Sequence, residues 1–239
     1  MRKTSRQAWR VVGGGIGAVT LFGLGHVATR WLRYGHVPKR KGPPTLLDRF
    51  LPKFEVLERH HTRVAAPVDV TYAAARQMSL DESPVARAIF RGRELLMRAA
   101  STDGRRSAPL IDEVLSIGWG VLAQEPGREI VVGAVTQPWK PEVTFRALPP
   151  DEFASFSEPG YAKIAWTIRS EPIGPDTSRF STETRVATTD AEARRRFRRY
   201  WTMVSPGVRI IRRETLRLVR SLAEHRYRAR RDAAERANE

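Results

Sequence analysis

Cysteine is absent from the 239 residues, which excludes disulfides, thiolate metal sites and cysteine nucleophiles together. The absence leaves the compartment open. Lysine is scarce: six lysines stand against 36 arginines, a bias associated with GC-rich bacterial genomes. Acidic residues are missing from the first 47 positions, and the first carboxylate is Asp48. Catalytic signatures are missing too, for the chain contains no H-E-x-x-H, G-x-S-x-G or P-loop pattern. No residue pattern calls for a metal or a cofactor.

What is present is basic charge, unevenly spread. The net charge is +16, but residues 1–47 carry nine Lys/Arg with no acid, and residues 191–239 carry fifteen Arg with six acids. The middle holds eighteen bases and twenty acids, so the folded body is near neutral. Specific nucleic-acid binding asks for a basic face on the folded body, and the sequence offers none. Attraction of two basic ends to anionic lipid accounts for the asymmetry more simply.

Val11 to Thr29 is a run of nineteen uncharged residues, flanked by Arg2, Lys3, Arg6 and Arg10 before it and by Arg30, Arg33, Lys39, Arg40 and Lys41 after it. About 20 residues span a bilayer, so residues 11–29 are expected to form one transmembrane helix, in a bacterial inner membrane. Bases on both flanks leave the orientation open. Gly13 and Gly17 form a GxxxG pair compatible with helix pairing, although small residues are common in such helices anyway. His26 at the −3 position of H-V-A argues against signal cleavage there. Gly13 to Ala18 also satisfies G-x-G-x-x-A. A dinucleotide site is excluded because no acid follows until Asp48. Gly42-Pro43-Pro44 makes a stiff linker.

Alternation predicts a first strand over 54–64, with Phe54, Val56, Glu58, His60, Thr62 and Val64 on one face. His60 and His61 point to opposite faces and cannot chelate one metal. Pro67 opens a short helix ending near Met78, and Ser83-Pro84 opens a second with Val85, Ile89 and Leu96 on one face. Strands are then expected over 110–115, 118–124, 129–135, 143–148, 161–173 and 179–188. As neighbours on a strand, Asp112 and Glu113 would diverge and could not serve one site. In the last hairpin Ala162, Ile164, Trp166 and Ile168 share a face with Phe180, Thr182, Thr184 and Val186, while Arg169 and Glu183 are expected to pair on the other.

Asp190 is placed to cap a long C-terminal helix. Phe197, Trp201 and Val204 lie on one face, Ser205-Pro206-Gly207 interrupts the pattern, and Val208, Ile211, Thr215, Leu218 and Leu222 resume it. So long an apolar stripe must lie on the strands before it. His225 and the arginines after Leu222 read as a solvated helix end.

The segments V-A-A-P-V-D-V-T-Y (64–72), W-G-V-L-A-Q-E-P-G-R-E-I-V-V-G (119–133) and F-S-T-E-T-R-V-A-T-T-D (180–190), in this element order, resemble the START-like helix-grip superfamily of polyketide cyclase/dehydrase and lipid-transport proteins. The resemblance implies an α+β fold: a curved antiparallel sheet wrapped around a long C-terminal helix, here with one added transmembrane helix. The chain would divide into an anchor (1–41), a linker (42–53), the helix-grip domain (54–223) and a basic tail (224–239). A ligand cavity is implied between sheet and helix, lined by His60, Trp119, Ile130, Val132, Phe145, Ile164, Trp166, Thr182, Thr184, Met203 and Ile211. Its occupant would be a hydrophobic small molecule or lipid, held without chemistry. The alternatives are a cyclase/dehydrase-type enzyme using the same cavity, or a protein-interaction module with a filled one.

Overall fold

The computed structural model describes residues 45–80, 83 and 108–238. The expected membrane span 11–29, with Gly13 and Gly17, and the helix expected after Ser83 lie outside the described residues. Among the described residues no helix is long and apolar enough to cross a membrane.

Six strands form one antiparallel sheet: β1 (Val56–Val64), β2 (Gly120–Glu125), β3 (Glu129–Thr136), β4 (Phe145–Arg146), β5 (Ala162–Gly174) and β6 (Thr177–Thr188). The spatial order is β1-β6-β5-β3-β2, with β4 paired to β3. Among the described residues four α-helices accompany it: α1 (Val68–Gln77), α2 (Leu110–Ser116), α3 (Pro150–Ser155) and α4 (Ala191–Ala237). Helix α4 has 47 residues, about 70 Å at the helical rise, and its middle lies against β1, β6 and β5. A curved sheet gripping one long helix is the helix-grip architecture.

Alternation sends one set of strand residues toward α4. There, Val64, Ile130, Val132, Trp166, Ile168 and Phe180 join Val70, Ala74 and Met78 of α1 and Val219 and Ala223 of α4 in the main core. Toward the start of α4, Val56, Ala162 and Val186 pack on Phe197 and Trp201. The opposite face of the sheet is covered too. Leu47, Phe50 and Leu51 lie there with Leu122, Val131, Val135, Ala165 and Phe153 of α3. Residues 46–51 form a short 3-10 turn and its exit, fastened by Arg185 from the middle of β6. That guanidinium donates to the Leu51 carbonyl at 2.8 Å and pairs with Asp48 at 2.8 Å and Glu183 at 2.7 Å.

Four expectations need correction. Residues 110–116 are helix α2, not a strand. Leu110 and Ile111 recur at helical spacing in Val114 and Leu115, and Asp112 and Glu113 sit in the positive first turn after Pro109. Asp112 and Glu113 are therefore neighbours on a helix, where they still point apart. The strand expected over 143–148 shrinks to Phe145–Arg146. Arg169 does not meet Glu183: the register sets Arg169 opposite Ser181 and Glu183 opposite Thr167. Arg169 pairs instead with Glu129 and Glu171, and Glu183 with Arg59 and Arg185. Finally, α4 runs unbroken through Ser205-Pro206-Gly207. Pro206 removes one N–H from the ladder, but packing of the stripe on either side carries the helix across.

The expected cap is present. Asp190 accepts the N–H groups of Glu192 at 2.7 Å and Ala193 at 2.8 Å, and its second oxygen accepts that of Gly160. One carboxylate thus ties the start of α4 to the loop before β5, and these bonds hold its pKa below the ordinary Asp value. Gly118, after α2, has φ +102 and lies where an added Cβ would stand 2.3 Å from the Phe145 carbonyl oxygen. Only glycine makes that approach.

Candidate functional site

The face of the sheet toward α4 changes character across its width. Two rows of directly opposed residues cross it. Glu58 of β1 faces Thr184 of β6, which faces Trp166 of β5, which faces Val132 of β3. One pair further on, His60 faces Thr182, then Ile168, then Ile130. Each row is polar on β1 and β6 and apolar on β5 and β3. Neighbouring strands lie about 4.8 Å apart, so a molecule across all four strands would pass from polar to apolar surroundings within about 14 Å.

Helix α4 completes the polar side. Arg212 donates from Nη2 to Thr184 Oγ1 at 2.6 Å and from Nη1 to Thr182 Oγ1 at 3.3 Å. Its guanidinium carbon stands 5.1 Å from the centre of the Trp166 ring, which is only 4 % exposed. A guanidinium over a desolvated indole is held by the ring's negative face. Enclosure lowers the Arg212 pKa to about 10, with Glu58 pulling the other way. The group is charged at any physiological pH. Two of its five donors are used, and no carboxylate lies within ion-pair distance among the described residues.

Glu58, 6 % exposed, sits 3.4 Å from His60 Nε2 and 3.6 Å from Arg209 Nε. The His60 nitrogen is within ion-pair range but outside hydrogen-bond geometry, so it is buried without a hydrogen-bond partner among the described residues. Burial lowers the His60 pKa, Glu58 opposes that shift, and the charges of Arg212 and Arg209 add to it. The lowered pKa leaves the ring neutral near neutral pH.

The apolar side is built by Trp166, Ile168, Ile130 and Val132, with Trp119 and Ile211 packed against them. His60, Thr62, Trp119, Ile164, Ile211 and Arg212 all retain partial exposure although core lies on either side. Solvent therefore reaches these side chains between sheet and helix.

Of the residues expected to line a cavity, the structure gathers His60, Trp166, Thr182 and Thr184 under Arg212. It sets Ile130, Val132, Trp119 and Ile211 beside them. Phe145 reaches this side through its ring contact with Trp119, 5.3 Å between centroids. Ile164 belongs instead to the cluster around Phe197 and Trp201. Met203 is a correction: it is 59 % exposed, on the side of α4 turned away from the sheet. It follows Trp201 and Thr202, both buried, and the helical step carries it outward.

Arg209 and Arg212 did not stand out in the sequence. The signal for Arg212 was its place on the buried stripe, four residues after Val208 and three before Thr215.

No family model matches the chain, and no curated protein matches it. Among solved structures it is similar to the di-domain ARO/CYC BexL of the BE-7585A biosynthetic pathway, at 15 % identity and TM-score 0.26, over 71 % of this chain and 46 % of that one. It thus spans just under half of BexL. It is also similar to the Zhui aromatase/cyclase from Streptomyces sp. R1128, at 14 % identity and TM-score 0.26, over 72 % of this chain and 94 % of that one. A third is CalU16 from Micromonospora echinospora, at 15 % identity and TM-score 0.23, over 73 % and 94 %. The helix-grip assignment rests on the strand order and the gripped helix described above, not on these similarities.

Proposed function

We propose that this protein binds a hydrophobic small molecule or lipid between the sheet and α4, and that residues 11–29 hold it at a membrane. The observation that carries the binding reading is the graded surface beneath α4. Tryptophan and aliphatic side chains on β5 and β3 adjoin a compact polar group on β1, β6 and α4, and solvent still reaches both. A largely apolar gap with a few converging polar groups is the general form of a small-molecule site. Native mass spectrometry of the full chain, released from a mild detergent after exposure to a lipid extract, tests it. A reproducible small-molecule adduct is expected. A clean apo mass would refute binding and favour an interaction module with a filled gap.

The anchor has its own test. Removing residues 1–41 should release the chain into the soluble fraction, and a truncated chain that stays fully on membranes refutes the single anchor.

One observation favours a second reading, an enzyme of the cyclase or dehydrase type. His60 and Glu58 stand 3.4 Å apart in an enclosed place, close enough to act on one substrate although not hydrogen-bonded to each other. Exchange of deuterium into a bound ketone, abolished by His60→Gln, would support it. Ordinary binding with no exchange would leave the carrier reading alone.

A further inference from the structure

The polar end of the gap holds a guanidinium with N–H donors to spare. Arg209, 44 % exposed, and the more enclosed Arg212 both lie near the Glu58 carboxylate. Glu58 is nearest to His60 and Arg209, while Arg212 leans on two hydroxyls and an indole face, none of which carries charge. Arg212 therefore makes no direct ion pair among the described residues, and Glu58 acts on it only from beyond ion-pair distance. Charges in such places are normally paired, because burial strengthens both the penalty of an unpaired charge and the reward for pairing it. The geometry is also that of a receptor. The Thr182 and Thr184 hydroxyls and the Trp166 ring fix the guanidinium plane, leaving a fork of N–H donors of the kind that carboxylates accept two at a time.

Resting on the binding function proposed above, we infer that the ligand is a hydrophobic monocarboxylic acid, its carboxylate on Arg212 and its apolar part along Trp166, Ile168, Ile130 and Val132. A carboxylate matches the planar fork of free N–H donors on Arg212 and can accept two of them at once. The His60 Nε2 atom, buried without a hydrogen-bond partner, lies on the same row as Thr182 and supplies a second contact for the acid. Bound carboxylate would favour its protonated form. The apolar rows give the ligand its direction: head toward β1 and β6, tail toward β3.

The test uses the full chain in amphipol with octanoic through palmitic acid, each against its own primary alcohol, read by native mass spectrometry and fluorescence titration. The acid should bind roughly 10- to 100-fold more tightly than the matched alcohol, as expected for a charge-assisted pair. Arg212→Met should remove that preference, bringing acid and matched alcohol to within about threefold of each other. Alcohol binding by the variant shows that the gap is still formed. If Arg212→Met binds neither probe, Arg212→Lys decides. Recovery of the acid preference supports the carboxylate site, and a folded Lys variant with no preference overturns it. Equal binding of acid and alcohol by the unaltered chain overturns this inference and leaves the binding reading standing. Binding of neither probe at any chain length overturns both.

Discussion

Replacing Arg185 by Met should unfasten the 3-10 turn from the back of the sheet. Arg185 is wholly buried and uses its charge three ways: on Asp48, on Glu183 and on the Leu51 carbonyl. Its guanidinium also stands 4.6 Å from the Phe54 ring centre. Removing one partner of a buried ion pair costs roughly 3–5 kcal/mol, because the remaining charge stays desolvated. Two features place this case at the low end. Asp48 is 31 % exposed and can rehydrate, and Glu183 keeps Arg59 as a partner. Methionine also fills most of the arginine stem's volume, so the cavity contribution is small. The expected loss is about 3 kcal/mol. With a urea slope near 2 kcal/mol/M for a domain of this size, the midpoint should fall by about 1.5 M. The assay is urea unfolding of the full chain in a non-ionic detergent, followed by tryptophan fluorescence. A second variant isolates the cause: Glu183→Gln on the Arg185→Met background should cost much less than Glu183→Gln alone. A midpoint shift below about 0.4 M, or strict additivity of the two changes, would refute the idea that the buried pair fastens the turn.

Three further outcomes follow from local geometry. Gly118→Ala should destabilise the fold by at least about 2 kcal/mol in thermal or urea unfolding, since it combines a positive φ with a clash against the Phe145 carbonyl. An unchanged midpoint would mean that β4 is free to move away. Glu129 is buried, which raises its pKa above the ordinary value despite the Thr167 hydroxyl and Arg169. Its proton is lost first from the unfolded chain, so the unaltered protein should lose stability relative to Glu129→Gln as pH rises from about 4.5 into the raised range. Parallel stability curves for the two proteins across that interval would contradict the shift. Asp190 has the opposite sign: its backbone bonds depress its pKa, so its contribution is present above the ordinary Asp value and fades as pH falls through the depressed one. Asp190→Ala should therefore lower the melting temperature at neutral pH, with the gap to the unaltered chain closing in strong acid. A gap that is constant with pH would mean that the lost cap is not electrostatic.

Much of the fold could be read directly, for identifiable reasons. The long strands β5 and β6 alternate cleanly, so the facing set Ile164, Trp166, Ile168, Phe180, Thr182, Thr184 and Val186 follows from the sequence alone. The start of α4 was equally plain, because Asp190 has two backbone N–H groups within reach. The errors fall where a segment is too short for its period to show. Leu110 to Leu115 is one such segment: a six-residue apolar-rich run fits a buried strand or two helical turns, and the acids after Pro109 were the only arbiter. Helix α3 carries the same signal in Pro149-Pro150-Asp151-Glu152. The second core, on the far side of the sheet, had no signature. Leu47, Phe50 and Leu51 are scattered among Arg49, Pro52 and Lys53, and only the sheet brings them together.

The arginines show best what pattern alone leaves out. With 36 of them, each one read singly defaults to solvent, and for Arg195, Arg217 and Arg220 that default holds, since all three are exposed and pair with acids three or four places away. Arg185 and Arg212 differ because their Cα atoms lie on an inward-facing set: Arg185 between Glu183 and Ala187 on β6, Arg212 between Val208 and Thr215 on α4. A long charged side chain at such a place has to find partners inside, and the two faces of the sheet supply different ones. On the far face Arg185 meets Asp48 and Glu183, so its charge is consumed in holding the chain together. On the near face Arg212 meets hydroxyls and an indole ring, so its charge is positioned without being consumed. That difference underlies the proposal that Arg212 receives a ligand, and it is why Arg212→Met should alter ligand preference while Arg185→Met alters stability.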